Sequence, residues 1–235
     1  MNWPLRTLAL AALCCLPANA QEASSSSYAS PSLAALHVRS ACIMPVEAKL
    51  YRLGMKGPES MLKESDDWTT NLQAVVETHF KAAEMTVLSA SDALNSTASS
   101  EELQQAILDV QQKYHAAAPQ VQRKPKELRS EHFTLGDSVS LLPCSAKSDV
   151  LVFAEGQGRI LSNGKETMTA LVGGPTTYGF FAITLVDAKT GDVLAYIRMM
   201  DTISFQASPE VAFGEALDGQ LHKLHIGPTA ASHKH

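Results

Sequence analysis

Val150 to Ala154 (VLVFA) is an uninterrupted apolar run, and it constrains the fold more than any other stretch of the chain. A run this short and unbroken predicts a central strand buried on both faces, not a half-exposed one. Both sides of the sheet that holds it must therefore be covered. The chain can supply the cover: it has 235 residues, 45% of them apolar, enough for a sizeable core. Trp68, Leu72, Val75, Val76, Phe80 and Ala83 recur at helical spacing, which predicts a helix starting at Trp68. Asp66 and Asp67 place negative charge at its start, where the helix dipole favours it. Ser99 and Glu102 form a capping-box pattern. They open a second helix with Leu103, Ala106, Ile107, Val110 and Tyr114 on one face, expected to stop before Pro119.

Ala41 to Leu53 reads as a first strand, Gly54 to Asp67 as a loop and Met85 to Leu88 as a short strand. Gly136 to Ser138 opens a short helix. Gly179 to Val186 and Val193 to Met199 read as strands joined by Asp187 to Asp192, a tight hairpin in which Gly191 supplies a positive φ. Ser208 caps a last helix with Pro209 at its first position, and Phe213, Leu217, Leu221 and Leu224 line its inner face. The expected fold class is α/β. It is a single domain, residues 36–227, with a mixed β-sheet, helices packed on it, and a C-terminal hairpin plus helix.

The N-terminus reads as an export signal. Met1 to Arg6 carries one positive charge, Thr7 to Leu16 is apolar, and Ala18 and Ala20 occupy the −3 and −1 positions before Gln21. Residues 1–20 are thus a predicted signal peptide cleaved after Ala20. Ten apolar residues are too few to span a bilayer, and the mature chain has no transmembrane segment. Cys14 and Cys15 raise the question of lipid anchoring, but Ala11-Ala12-Leu13 puts the small and aliphatic residues in the wrong order for it. Residues 21–35 hold six serines and read as a disordered leader. Residues 228–235 are a tail containing His233 and His235.

Cleavage leaves Cys42 and Cys144. In an oxidising compartment they are either a disulfide or two buried thiols, and spacing does not choose between these. If the first strand and the Val150 strand are parallel neighbours, both cysteines lie at the same end of the sheet.

Most motifs that suggest chemistry are incomplete. Gly156-Gln157-Gly158 follows the apolar strand, but Leu161 stands where a dinucleotide loop needs its third glycine; a strand end or bulge explains it. Ser60 and Lys63 form S-x-x-K and Lys189 to Gly191 is K-T-G, yet the third element of penicillin-binding enzymes is absent. His222 and His225 sit three apart, and a metal site needs three or four convergent ligands. His79 reads as a core-edge residue. A net charge of −5 argues against nucleic acid as a partner. No catalytic, cofactor-binding or metal-binding residue is assigned, and no cofactor is expected.

Arg159 to Tyr178 is too long for a tight turn and mixes glycines with apolar residues. Ile160, Leu161, Met168, Leu171 and Val172, with Phe180 and Phe181 at its exit, are the candidate partner-docking residues. The alternative is that the segment extends its flanking strands into a long hairpin or covers the core.

Four pieces occur in order: Glu47 to Gly54 (EAKLYRLG), Asp67 to Thr69 (DWT), Ser148 to Phe153 (SDVLVF), and Leu185 to Leu194 (LVDAKTGDVL). Together they resemble a group of poorly characterised bacterial envelope (lipo)proteins with a domain like the TolB amino-terminal and curli-secretion-lipoprotein (CsgG) α/β fold. The resemblance covers roughly residues 41–225. It implies a non-enzymatic accessory or interaction module, periplasmic or secreted, that docks onto other envelope proteins. It carries no catalytic residues, and the lipid-modified cysteine common in the group is missing. The rival reading is a small-molecule-binding or hydrolytic periplasmic enzyme.

Overall fold

The computed structural model describes residues 24–90, 101–162, 177–202 and 208–227. The predicted signal peptide, the His233–His235 tail, Ser99 of the capping box, and Met168, Leu171 and Val172 lie outside the described residues. The elements in chain order are β1 (Ser24–Ala29), α1 (Pro31–Ala35), β2 (Ser40–Ile43), β3 (Glu47–Gly54), β4 (Gly57–Ser60), α2 (Leu62–Ala82) and β5 (Thr86–Ser89). They continue with α3 (Glu101–Arg123), three 3-10 turns between Pro125 and Lys147, β6 (Val150–Leu161), β7 (Thr177–Asp187), β8 (Val193–Asp201) and α4 (Pro209–Lys223). The fold is α/β, with one mixed sheet ordered β1-β8-β7-β6-β2-β5.

β6 is the centre, as its apolar run predicts. Val150, Val152 and Ala154 enter one core with Trp68, Leu72, Phe80, Phe213 and Leu217. Leu151 and Phe153, pointing the other way, enter a second core with Ile107, Val110, Tyr114 and Leu142. α2 and α4 therefore cover one face, while α3 and the 3-10 turns cover the other. Asp149, just before the run, ties β6 to β2. Its carboxylate accepts hydrogen bonds from the amides of Arg39 (2.9 Å) and Ser40 (3.0 Å) and from the Ser40 hydroxyl (2.9 Å). Burial pushes the Asp149 pKa up, but these donors outweigh it and hold the group below its ordinary value.

Several expectations change. The predicted first strand is two strands, because Pro45 interrupts it. β2 pairs in parallel with Val150–Val152, and β3 pairs in parallel with Glu155–Leu161 further along the same β6 edge. The predicted loop from Gly54 to Asp67 is instead a β3–β4 hairpin turning at Gly57 (φ +122°), followed by the first turns of α2. Asp66 and Asp67 consequently sit inside α2, beyond its first turn. Pro119 does not stop α3, which runs on to Arg123. One lost amide donor in the last turns is offset by burial of Ala118 and Val121 on either side.

The serine-rich leader is also corrected. Ser24–Ala29 is an edge strand, antiparallel to β8, with Tyr28 opposite Tyr196. Leu33 of α1 is buried. A serine run buries little apolar surface, yet an unpaired β8 edge can still recruit it through main-chain hydrogen bonds, and the Gln220 amide adds a 2.8 Å bond to Ser25. The folded body thus begins at least twelve residues before position 36.

Gly156 and Gly158 lie within β6, not at its end. A Cβ at Gly156 would stand 2.6 Å from Leu72 Cδ1 and 3.0 Å from the Trp68 ring. The glycine lets α2 approach the sheet. The hairpin at Gly191 (φ +78°) and the Ser208 cap, which accepts a bond from the Glu210 amide at 3.2 Å, are as expected.

Candidate functional site

The side of β6 that faces α3 changes chemistry along its length. Leu151 and Phe153 are buried beneath the helix, whereas Glu155, Gln157 and Arg159 continue the same row as polar, half-buried residues. In register beside them on β7 stand Ala182, Phe180 and Tyr178, and on β3 Glu47, Lys49 and Tyr51. Arg198 and Met200 of β8 extend the row. α3 covers the apolar half of this face and leaves the other half as a groove.

The groove consists of two adjoining depressions that share Gln122, Gln157 and Phe180. The smaller, about 230 Å³, holds Glu47, Lys49, His115 and Glu155. His115 Nε2 lies 2.8 Å from Glu47 Oε1, and its Nδ1 lies 3.6 Å from Glu155 Oε1. The Gln122 amide donates to Glu155 Oε2 at 3.0 Å. Burial pushes the Glu155 pKa up, partly opposed by His115 and by the Gln122 hydrogen bond. Beneath it, Tyr114 stacks on Phe153 with ring centres 4.3 Å apart, and its hydroxyl lies 3.2 Å from that of Thr184. The larger depression, about 490 Å³, is lined by Arg123, Arg198, Tyr178, Tyr196, Met200 and the shared residues. The Arg198 guanidinium lies 5.5 Å over the Phe180 ring, and that of Arg159 lies 5.4 Å over Tyr178. Such cation–π contacts hold the long side chains in place. Among the described residues, no serine, threonine or cysteine lines either depression.

Of the predicted docking residues, Phe180 is in this groove. Phe181 is not a surface residue: it is fully buried against Phe213, ring centres 5.5 Å apart. Adjacent strand residues point to opposite faces, so only one of the two phenylalanines can face the groove. Ile160 also faces the other way and packs against the α2–α4 core; Leu161 is half-buried at the end of β6. The flanks of the predicted excursion are strand, with Ile160 paired to Thr177. Sequence reasoning missed Glu47, His115, Arg123, Glu155, Gln157 and Arg198. The available signal was the switch at Glu155 from a continuous apolar run to alternation (EGQGR), which marks where cover on one face ends.

Cys42 and Cys144 form a disulfide, with Cα atoms 5.9 Å apart. His222 and His225 are exposed, and His225 lies beyond the end of α4. Among the described residues no group of three or more His, Cys, Asp and Glu side chains is placed to hold a metal. No described helix is long and apolar enough to cross a membrane.

His79 is more than a core-edge residue. It is buried on α2 and clamped by two carboxylates of α4: Nδ1 to Asp218 at 2.6 Å and Nε2 to Glu210 at 2.9 Å. Gly214 leaves room for the ring, since a Cβ there would lie 2.8 Å from Nε2. Burial lowers the His79 pKa, but the two carboxylates more than reverse this and raise it above 6.5. Because the folded value is raised, the clamp stabilises fully below about pH 6.5, and that contribution is lost as pH rises through the folded value. The melting-temperature gap between the protein and H79Q is expected to be widest in mild acid and to narrow at alkaline pH. A gap that stays constant across that range would show that the histidine is not charged in the clamp.

No protein-family model matches the sequence, and no curated protein matches it. Among solved structures, the PelC dodecamer from Paraburkholderia phytofirmans aligns at 11% identity and TM-score 0.38, covering 83% of this chain and 96% of that one. A point variant of the same dodecamer aligns at 7% identity and TM-score 0.36, covering 87% and 97%. At these values the likeness assigns neither family nor function.

Proposed function

We propose that this chain is an exported, non-enzymatic interaction module of the bacterial cell envelope, built on a TolB/CsgG-like domain, that holds another envelope component against the uncovered half of its sheet. The observation that carries this reading is the groove: a sheet face that begins as core under α3 and ends as a row of aromatic and charged side chains with no element over them among the described residues. The Cys42–Cys144 bridge supports export, because such bonds persist in oxidising compartments. The described lining, made of charged, amide and aromatic side chains with no serine, threonine or cysteine among the described residues, supports recognition over nucleophilic chemistry.

The test is crosslinking capture from native envelope. F180A and R198E are expected to lose the captured species, while K63E, on the exposed surface of α2, keeps it. Equal capture by all three variants would remove the groove from the reading. The rival enzyme reading rests on Glu155, whose carboxyl is lifted by burial beside His115. If that reading held, E155Q would abolish turnover of a hydrolysable ester or glycoside while leaving capture intact.

A further inference from the structure

We propose that the arginine end of the groove binds a carboxylate-bearing saccharide, an inference that rests on the docking reading above and names the chemistry of what docks. Two guanidiniums from separate elements, Arg123 at the end of α3 and Arg198 on β8, line one depression whose described lining residues include no carboxylate. Neither forms an ion pair among the described residues. Two uncompensated cations in a shared concavity, on a chain of net charge −5, create a local field that favours an anion, and the planar guanidinium fork matches a carboxylate.

The other lining groups select what carries that anion. Gln122 already donates to Glu155 but keeps its carbonyl oxygen. Gln157 offers a donor and an acceptor, the complement of sugar hydroxyls. Tyr178, Phe180 and Met200 add apolar surface against which the C–H face of a sugar ring can lie. The groove crosses β3, β6, β7 and β8, three strand spacings or roughly 14 Å, so it is elongated as an oligosaccharide is. A polyphosphate is disfavoured. The depression lies at the carboxy-terminal end of α3, the negative end of the helix dipole, which opposes a multiply charged phosphate chain more than a single carboxylate, and Pro119 in its wall has no amide hydrogen to donate.

The experiment is a titration of the full chain with trigalacturonate, neutral galactotriose and inorganic phosphate, followed by calorimetry or amide NMR shifts. Trigalacturonate is expected to bind, with the neutral sugar about tenfold or more weaker. R123Q and R198Q should each weaken trigalacturonate binding by a similar factor while melting like the parent. R39Q, which removes an exposed arginine away from the groove, should bind like the parent. The proposal is overturned if trigalacturonate does not bind, if galactotriose or phosphate binds as tightly, or if R123Q and R198Q leave binding unchanged. Envelope capture separates the two levels. Capture of a protein that needs Arg198, with no saccharide binding, overturns this proposal and leaves the docking reading standing. Arginine-dependent saccharide binding with capture indifferent to F180A and R198E supports this proposal and overturns the docking reading.

Discussion

Replacing Cys42 and Cys144 together by alanine is expected to lower the unfolding free energy by about 4–5 kcal/mol. The two residues are 102 positions apart in sequence, and chain-entropy arithmetic gives about 4.7 kcal/mol for closing a loop of roughly a hundred residues. Both side chains are also buried in the α3-side core. The double variant therefore loses sulfur packing as well as the cross-link, which pushes the cost toward the upper end. The bridge joins the end of β2 to the turn that feeds β6, so it fastens the parallel pairing Cys42↔Leu151 at the centre of the sheet. Urea unfolding with and without reductant is the check. A midpoint that moves by less than about 1 kcal/mol equivalent, or titration of two free thiols in the untreated protein, would show that the bridge does not form.

Trp68→Ala is expected to cost about 3–5 kcal/mol, the range for emptying a large aromatic site in a core. Trp68 is only 4% exposed, and its ring lies against the β6 backbone at Gly156, where a Cβ would be 3.0 Å away. Gly156, the β6 residue against the ring, has no side chain to expand into the vacated space. Leu72 and Ala48, which also border Gly156, belong to well-packed neighbours that relax little. The void should thus persist, and the cost should fall in the upper part of the range. A melting temperature within a degree or two of the parent would mean that the ring is not part of the core. The same close approach explains why Gly156, which a motif reading treats as half of a nucleotide loop, is a packing residue.

How legible each part was in the sequence follows from how local its cause is. The central strand was legible because five apolar residues without a break have no stable place except between two cores. The α2 stripe, the Gly191 turn and the Ser208 cap were legible for a similar reason: helix period, positive φ and capping hydrogen bonds are each decided within a few residues. Pro119 and the serine leader were misread because their local propensities point one way and the tertiary context points the other. Burial of Ala118 and Val121 carries α3 past the proline, and the open edge of β8 pulls Ser24–Ala29 into a sheet. The lining of the groove was half legible. Alternation along β7 guaranteed that Phe180 and Phe181 face opposite ways, but not which of them faces the groove.

By itself, the sequence determined the class of fold, the strand at its centre, the stripe of α2, the hairpin before α4, and the count of four cysteines, two of them beyond the predicted signal peptide. These follow from patterns that act over a few residues, or from counting. Only the tertiary structure decided that Cys42 meets Cys144, that His79 is clamped by Asp218 and Glu210 from 139 and 131 positions away, and that residues from β3, α3, β6, β7 and β8 share one groove. The physical reason is common to all three. Each depends on which elements become neighbours across the sheet and on where a helix stops covering it, and those are set by the packing of whole faces, which no local pattern encodes.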